Sequence, residues 1–386
     1  MQRRFAPVAA LCSLLAMVAT PVFALNLDAF DFSSPREKAM GGTHVALADD
    51  FSVLLTNPAG LADVPSKFSA ADLGVRAIGP VFDIANLIIG GNTTPTAIMN
   101  FLAANNYKLY AGLDISGPVA FGYTGGGLGF GLFNKTGLTA NVASVSSIGV
   151  KAVEDLLLAG GYAMHFDLGK GQTLAAGVST KGFVRGDISP TIGAIEAMDL
   201  ISNPMALLAK PFNLTTGIGI DAGLRWSWKD QVAAGLACRD AFSPALVTKY
   251  SSMAGFLGDP ANSKLGSSTY ETLRRSLDFG FSWSPSLGRL GQILDSLVIA
   301  LDYRDILDLA NPVPRNPILN VGVGMELKVL DIVSIRAGMD NTLLSVGMGL
   351  DLGVFTLNVA AFGKELGLDP GNRPYYNLLI DFDFKY

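Results

Sequence analysis

From about residue 66 to its end the chain alternates apolar and polar residues with a period of two, and this alternation leaves few folds open. The last stretch shows it best: Tyr376, Leu378, Ile380, Phe382, Phe384 and Tyr386 share one face, while Asn377, Asp381, Asp383 and Lys385 share the other. Leu277, Phe279, Phe281 and Trp283 oppose Asp278, Gly280, Ser282 and Ser284 in the same way, and Ile218 to Trp228 repeats the scheme. Mean hydropathy is high, +0.38, and charged residues are only 16%. Yet no stretch beyond residue 24 offers the roughly 18 uninterrupted apolar residues that a membrane helix needs. Apolarity carried by alternation rather than by runs fits strands with one face to lipid and the other to a polar lumen, a transmembrane β-barrel.

The pattern predicts fourteen strands, at roughly 66–78, 108–124, 127–145, 153–167, 172–187, 212–229, 231–243, 271–286, 295–306, 316–329, 331–341, 342–352, 354–364 and 374–386. Every second connection is short: Gly125-Gly126, Leu168 to Gly171, Lys229-Asp230, Leu330 and Gly353, with 284–294 the longer member of that set. The complementary set holds the long links 79–107, 188–211, 244–270 and 365–373. Short periplasmic turns and longer extracellular loops give this asymmetry. Tyr123, Phe166, Trp226, Trp228, Trp283 and Tyr386 fall at the short-turn end on apolar faces, where an interfacial aromatic girdle belongs. Two long loops have helical spacing of apolar residues, Thr96 to Ala104 and Ile192 to Leu208. They fit either a ligand-collecting lid or plain packing over the barrel mouth.

Residues 1–24 have the layout of a cleaved signal peptide, with Arg3 and Arg4 first, an apolar core from Ala9 to Ala19, and Val22-Phe23-Ala24 at the cleavage point. With that segment removed, Cys238 is the only cysteine and forms no intrachain disulfide.

Between signal and strands lies a stretch of another kind, Ala39 to Ala62, reading AMGGTHVALADDFSVLLTNPAGLA. It is punctuated by turn formers: Gly41-Gly42, Asp49-Asp50, and Asn57-Pro58-Ala59-Gly60. Its apolar pieces are too brief to make a domain, so it must dock against something larger. This stretch resembles the N-terminal plug of FadL-like outer-membrane transporters, in which a glycine pair, an "ALADD"-like run and an "NPAGL"-like turn recur at this spacing. The resemblance covers residues 25–65 and implies a plug there, with Gly41, Gly42, Asp49, Asp50, Asn57, Pro58 and Gly60 as its motif, and residues 66–386 as the barrel. It implies passive uptake of hydrophobic molecules across the outer membrane of a diderm bacterium, long-chain fatty acids foremost, with membrane lipid and the ligand as partners and no cofactor. Some secretion-system barrels share the pattern, so the alternative it implies is a scaffold in a protein-secretion assembly. The aromatic C-terminus resembles the signal read by the barrel-assembly machinery.

Catalytic and metal motifs are missing from the sequence. His44 and His165 are the only histidines, and there is no Cys/His cluster, no HExxH and no G-x-S-x-G. The glycine repeats at 127–131 and 217–219 lie inside strands with no following helix, which excludes a nucleotide loop. The net charge of −5 and the want of a basic patch argue against nucleic acid. The sequence therefore does not describe an enzyme. Arg225, Arg239 and Arg304 fall on lumenal faces with Asp221, Asp278, Asp302, Glu326 and Asp381. They either pair across strands or hold a ligand carboxylate. In the second strand, Gly117-Pro118 interrupts the ladder, since proline donates no hydrogen bond; the break is either a sideways exit for ligand or a plain bulge.

Overall fold

The computed structural model describes residues 26–48, 50–90, 94–105, 108–117, 121–144, 147–193, 196–197, 199–200, 203–288 and 294–385. The expected signal peptide, Asp49 of the motif, Pro118 of the break and the terminal Tyr386 lie outside the described residues.

The wall is a closed antiparallel barrel of fourteen strands. They are β1 (Lys67–Ile78), β2 (Leu109–Ser116 and Phe121–Gly125), β3 (Leu128–Ser144), β4 (Ser147–Gly169), β5 (Gln172–Ile188), β6 (Phe212–Trp228) and β7 (Val232–Phe242 and Pro244–Tyr250). Then come β8 (Thr269–Leu273 and Ser276–Trp283), β9 (Leu294–Tyr303), β10 (Val321–Val329), β11 (Val333–Asp340), β12 (Leu343–Asp351), β13 (Phe355–Glu365) and β14 (Pro374–Lys385). Each pairs with the next, and β14 returns to β1 through pairs such as Ile380↔Val75, closing the ring. No helix among the described residues is long and apolar enough to cross a membrane; the strands do the crossing. Their outward positions are large and apolar. Phe130, Leu158, Ile218, Phe281, Met325 and Val346 are all exposed, an arrangement that costs free energy in water and gains it in lipid.

Both ends of the wall follow from local backbone chemistry. Lys229-Asp230 and Leu330-Asp331 have positive φ at both turn residues, 51° and 54° in the first and 51° and 53° in the second. These are two-residue turns whose twist matches the flanking strands. Trp228 and Trp283, each about half exposed, end β6 and β8 at this end and both pair with Val232. The opposite end carries the longer links, with two exceptions, the two-residue link 145–146 between β3 and β4 and the tight Asn341-Thr342 turn between β11 and β12.

Several expectations need correction in detail. β4 starts at Ser147, six residues before the expected 153, because its pairing with β3 continues up to Ser144↔Ser147. The link expected at 244–270 is partly wall: β7 resumes at Pro244 after a left-handed kink at Asp240 (φ 53°) and pairs with Thr269–Leu273. What remains carries two short helices, Met253–Gly258 and Pro260–Ser263. Helix α1 (Val81–Ile89) occupies part of the 79–107 link where loop was expected, and α2 (Pro95–Ala104) matches the expected 96–104. In the 188–211 link the end of the expected helix is a 3-10 turn, Pro204–Ala209.

Candidate functional site

Residues 26–48 and 50–66 pack against the inner faces of the wall. Their contacts run around the closed wall, so the segment lies inside it. A side chain added at Gly177 (β5), Gly223 (β6), Gly235 (β7), Gly324 (β10) or Gly338 (β11) would overlap Pro58, Asn57, Val45, Met40 or Gly41. The glycines on the inner faces are therefore the places where the backbone of the segment meets the backbone of the wall.

The turn formers of the motif are caps. Pro35–Ala39 forms a short helix whose N-terminus is capped by Ser34, accepting from the Glu37 amide at 3.2 Å. It stops at Gly41 in the left-handed region (φ 68°), and Gly42 N–H donates to Glu37 O at 2.8 Å, a closure that requires glycine after the last turn. Asp50 caps the 3-10 turn Phe51–Leu54 by accepting from Ser52 N–H at 2.9 Å. Asn57 caps Pro58–Ala62 by accepting from Ala59 N–H at 3.1 Å, with Pro58 at the first position. Gly60 leaves room for Val53, whose side chain a Cβ would meet at 2.8 Å. Asn57 also donates to Val45 O at 2.7 Å and to Leu224 O on β6 at 3.2 Å. This one fully buried side chain thus joins both halves of the motif to the wall.

Charged ties fasten the same segment elsewhere. Arg36 grips Glu326 of β10 with two bonds of 2.8 Å and reaches Asp50 at 2.9 Å, while Arg336 of β11 adds 2.6 Å to Glu326. Such forked guanidinium–carboxylate pairs in a partly dry site are among the stronger polar contacts. Opposing Arg36, burial would raise the Asp50 carboxyl; the guanidinium wins and holds it below its usual range. Asp302 of β9 accepts from the His44 and Val45 amides at 2.8 and 3.0 Å.

The three lumenal arginines singled out in the sequence are each engaged. Arg225 donates to Ala46 O at 2.8 Å and to Asp63 at 2.6 Å, and Asp63 also meets His165 at 2.6 Å. Arg239 meets Asp278 at 2.8 Å, and Arg304 meets Asp340. Sequence reading placed Asp302 and Glu326 in the lumen but did not match them to partners in the segment. It also missed Phe30 and Phe32, which run across the lumen ahead of the helix. Phe30 lies 5.0 Å from Phe183, and Phe32 lies 5.7 Å from Phe133. Their only sequence signal is a pair of aromatics two apart, too common to mark a site.

On the side of β9–β14 and β1–β3 a cavity of about 740 Å³ remains between segment and wall. Its lining is charged and includes Arg36, Lys67, Asp114, Glu326, Arg336 and Asp381. It reaches Gly117, where β2 is interrupted. Toward β1 the described pairs on either side of residues 118–120, which lie outside the described residues, are Gly74↔Ser116 and Ser69↔Gly122. Toward β3 the described pairs are Ser116↔Lys135 and Phe121↔Leu132, and Gly117 N–H donates to Asn134 O at 3.1 Å. Gly117 (φ 77°) sits so close to β1 that a Cβ would overlap Asp72 O.

No family model matches the chain, and no curated protein matches it. Among solved structures the chain is similar to the CymD monoaromatic hydrocarbon channel, at 12% identity and a TM-score of 0.47, over 91% of this chain and 96% of that one. It is similar to the Ralstonia pickettii toluene transporter TbuX at 13% identity and a TM-score of 0.47, over 92% and 98%. A third, at 12% identity and a TM-score of 0.43 over 95% and 98%, is a Pseudomonas aeruginosa homologue of FadL, for which the family that residues 39–62 resemble is named.

Proposed function

We propose that this protein is an outer-membrane channel for passive uptake of hydrophobic molecules, long-chain fatty acids foremost, with residues 25–65 as its plug and the break at Gly117-Pro118 as a sideways exit into lipid. The observation that carries this reading is Gly117 (φ 77°) at the edge of the cavity, so close to β1 that a Cβ would overlap Asp72 O, with Pro118 next in the sequence. Below the break the lumen offers an apolar molecule ion pairs. Beyond the break lies hydrocarbon, worth roughly 0.8 kcal/mol for every methylene buried. Pro118 has no N–H to give to the ladder, so opening the wall there costs one strand hydrogen bond fewer than elsewhere. A ligand carboxylate would reach Arg225, Arg239 or Arg304 by displacing Asp63, Asp278 or Asp340.

The test is uptake of a labelled long-chain fatty acid, and separately of toluene, by liposomes containing the purified protein. Uptake faster than in empty liposomes is expected for the fatty acid, and an unchanged rate for both probes would refute a channel. In Gly117→Val a branched side chain cannot take up the glycine's backbone angle or its approach to Asp72. Heat-modifiable electrophoretic mobility shows whether that barrel folds. A folded Gly117→Val barrel with the parental uptake rate would remove the sideways exit and leave the channel.

A further inference from the structure

The segment carries one ionisable group whose surroundings its docking alone does not explain. His44 is buried, 6% exposed, between Glu37 of its own segment, 7% exposed, and Asp302 of β9, fully buried. Its Nδ1 lies 2.8 Å from Gly42 O and 3.4 Å from Glu37 Oε1. Both neighbours are acceptors, so Nδ1 carries a proton in either charge state. His44 Nε2, Glu37 Oε2 and Asp302 Oδ1 are buried without a hydrogen-bond partner among the described residues.

The charges facing this group come from four strands. Arg239 of β7 is matched by Asp278 of β8 at 2.8 Å, and Arg304, just after β9, is matched by Asp340 of β11. Lys38 and Asp31 of the segment also act on Glu37 and are matched to each other at 3.5 Å; set aside these pairs, and two buried carboxylates, Glu37 and Asp302, remain with the imidazole of His44 between them. With a neutral ring the cluster buries two unbalanced negative charges; with a protonated ring it buries one. Buried charge without a partner is strongly unfavourable. The same carboxylate of Asp302 receives the His44 and Val45 amides, so the group that senses the ring also fastens the segment to the wall.

We propose that His44 is a proton-operated latch: its imidazolium keeps residues 37–46 docked on β9, and loss of the proton releases them. The direction agrees with the shifts of the two groups in the segment. Burial alone would favour a neutral ring, but the carboxylates of Glu37 and Asp302 outweigh it and hold the His44 pKa above its ordinary 6.5. Burial would likewise raise Glu37, and His44 outweighs it. The His44 contribution to docking is thus complete below pH 6.5 and fades as pH rises through the raised value. Glu37 contributes above its ordinary value and fades in acid.

The latch depends on the plug reading only for its effect on flux, so its test reads docking directly. In a Cys238→Ala background, Ala46→Cys places a buried thiol in the segment, and Asn262→Cys places an exposed one in a loop as reference. Maleimide labelling at 46, normalised to that at 262, should rise between pH 6 and pH 9 by about tenfold per unit of the upward shift in the His44 pKa. With His44→Gln the ratio should stay flat over the same range. A flat ratio with His44 present, or an equal rise with His44→Gln, would overturn the latch. So would loss of heat-modifiable mobility over this range, because the wall and not the segment would then be opening. Labelling that follows pH without any change in conductance would uphold the latch and count against the plug.

Discussion

Replacing Asn57 with alanine tests whether the NPAGL turn is held as tightly as its contacts imply. The side chain is fully buried and makes three bonds, to Ala59 N–H, Val45 O and Leu224 O. Losing a cap of this type costs about 1 kcal/mol. Each buried carbonyl that loses its donor costs about 1 kcal/mol more, so the variant should weaken docking of this turn by about 3 kcal/mol. That is roughly a hundredfold increase in the open population, at about 1.4 kcal/mol per tenfold. Amide hydrogen exchange reads such local openings. Residues 53–61 should exchange about a hundredfold faster in Asn57→Ala, while residues 36–42, held by Arg36 and Glu326, should change far less. Gly223 supplies the control, since a methyl there would fall where the Asn57 amide oxygen lies. Adding Gly223→Ala refills the space without restoring a single bond. Protection recovered by that second change would mean that packing, not hydrogen bonding, holds the turn. Exchange within threefold of the parent would refute the reasoning altogether.

Three further outcomes follow from the same geometry. Gly235→Val should push Val45 off β7, because even a Cβ there overlaps the Val45 carbonyl; overpacking of this kind costs about 1–3 kcal/mol, and protease cleavage within residues 43–50 should accelerate, whereas unchanged resistance would show that the approach is not tight. Deleting residues 25–65 should leave a folded barrel that leaks small hydrophilic solutes, and single-channel conductance equal to the parent's would remove the plug. Epitope tags at Asn262 and Pro370 should be reached by antibody on intact cells and a tag at Asp230 should not; labelling at 230 without 262 would invert the barrel.

The wall was legible in the sequence because lipid and lumen impose a strict two-residue period. Leu378, Ile380 and Phe382 could not be placed on the Asp381 face without burying a charge in hydrocarbon. Turns were legible where two residues had to close a hairpin, as at Lys229-Asp230. Ends of strands were less so: Pro244 to Tyr250 reads as loop because proline opens it, yet an edge-like start after the Asp240 kink leaves its ladder with β6 intact. The motif showed that Gly41, Gly42, Asp50 and Asn57 mark turns, and the structure makes each a helix stop or a cap. Pairing in the lumen could not be read. Alternation says that Arg304 and Asp340 face inward, but their meeting depends on register between strands, and Arg36 reaches Glu326 across 290 residues.

The two kinds of inner surface divide the lumen. On β5 to β8 the inward glycines Gly177, Gly223, Gly235 and Gly280 let the segment come so close that a Cβ at any of them would overlap it. On β13, β14 and β1 the cavity is lined by Asn358, Asp381, Asp72 and Arg76, the last of which reaches Asp31 of the segment at 2.8 Å, while Ala360 of β13 packs on Ala39. A segment of fixed bulk pressed to β5–β8 leaves free volume toward β1. Gly117 of β2 borders that cavity. Exchanging the two surfaces tests whether this placement matters. Bulky residues at Gly177 and Gly223 should push the segment toward β1, fill the space beside Gly117 and slow uptake of the fatty acid, although neither glycine lies near the break. If uptake is unchanged while exchange of residues 57–61 shows the segment displaced, the cavity beside the break is not on the ligand's path.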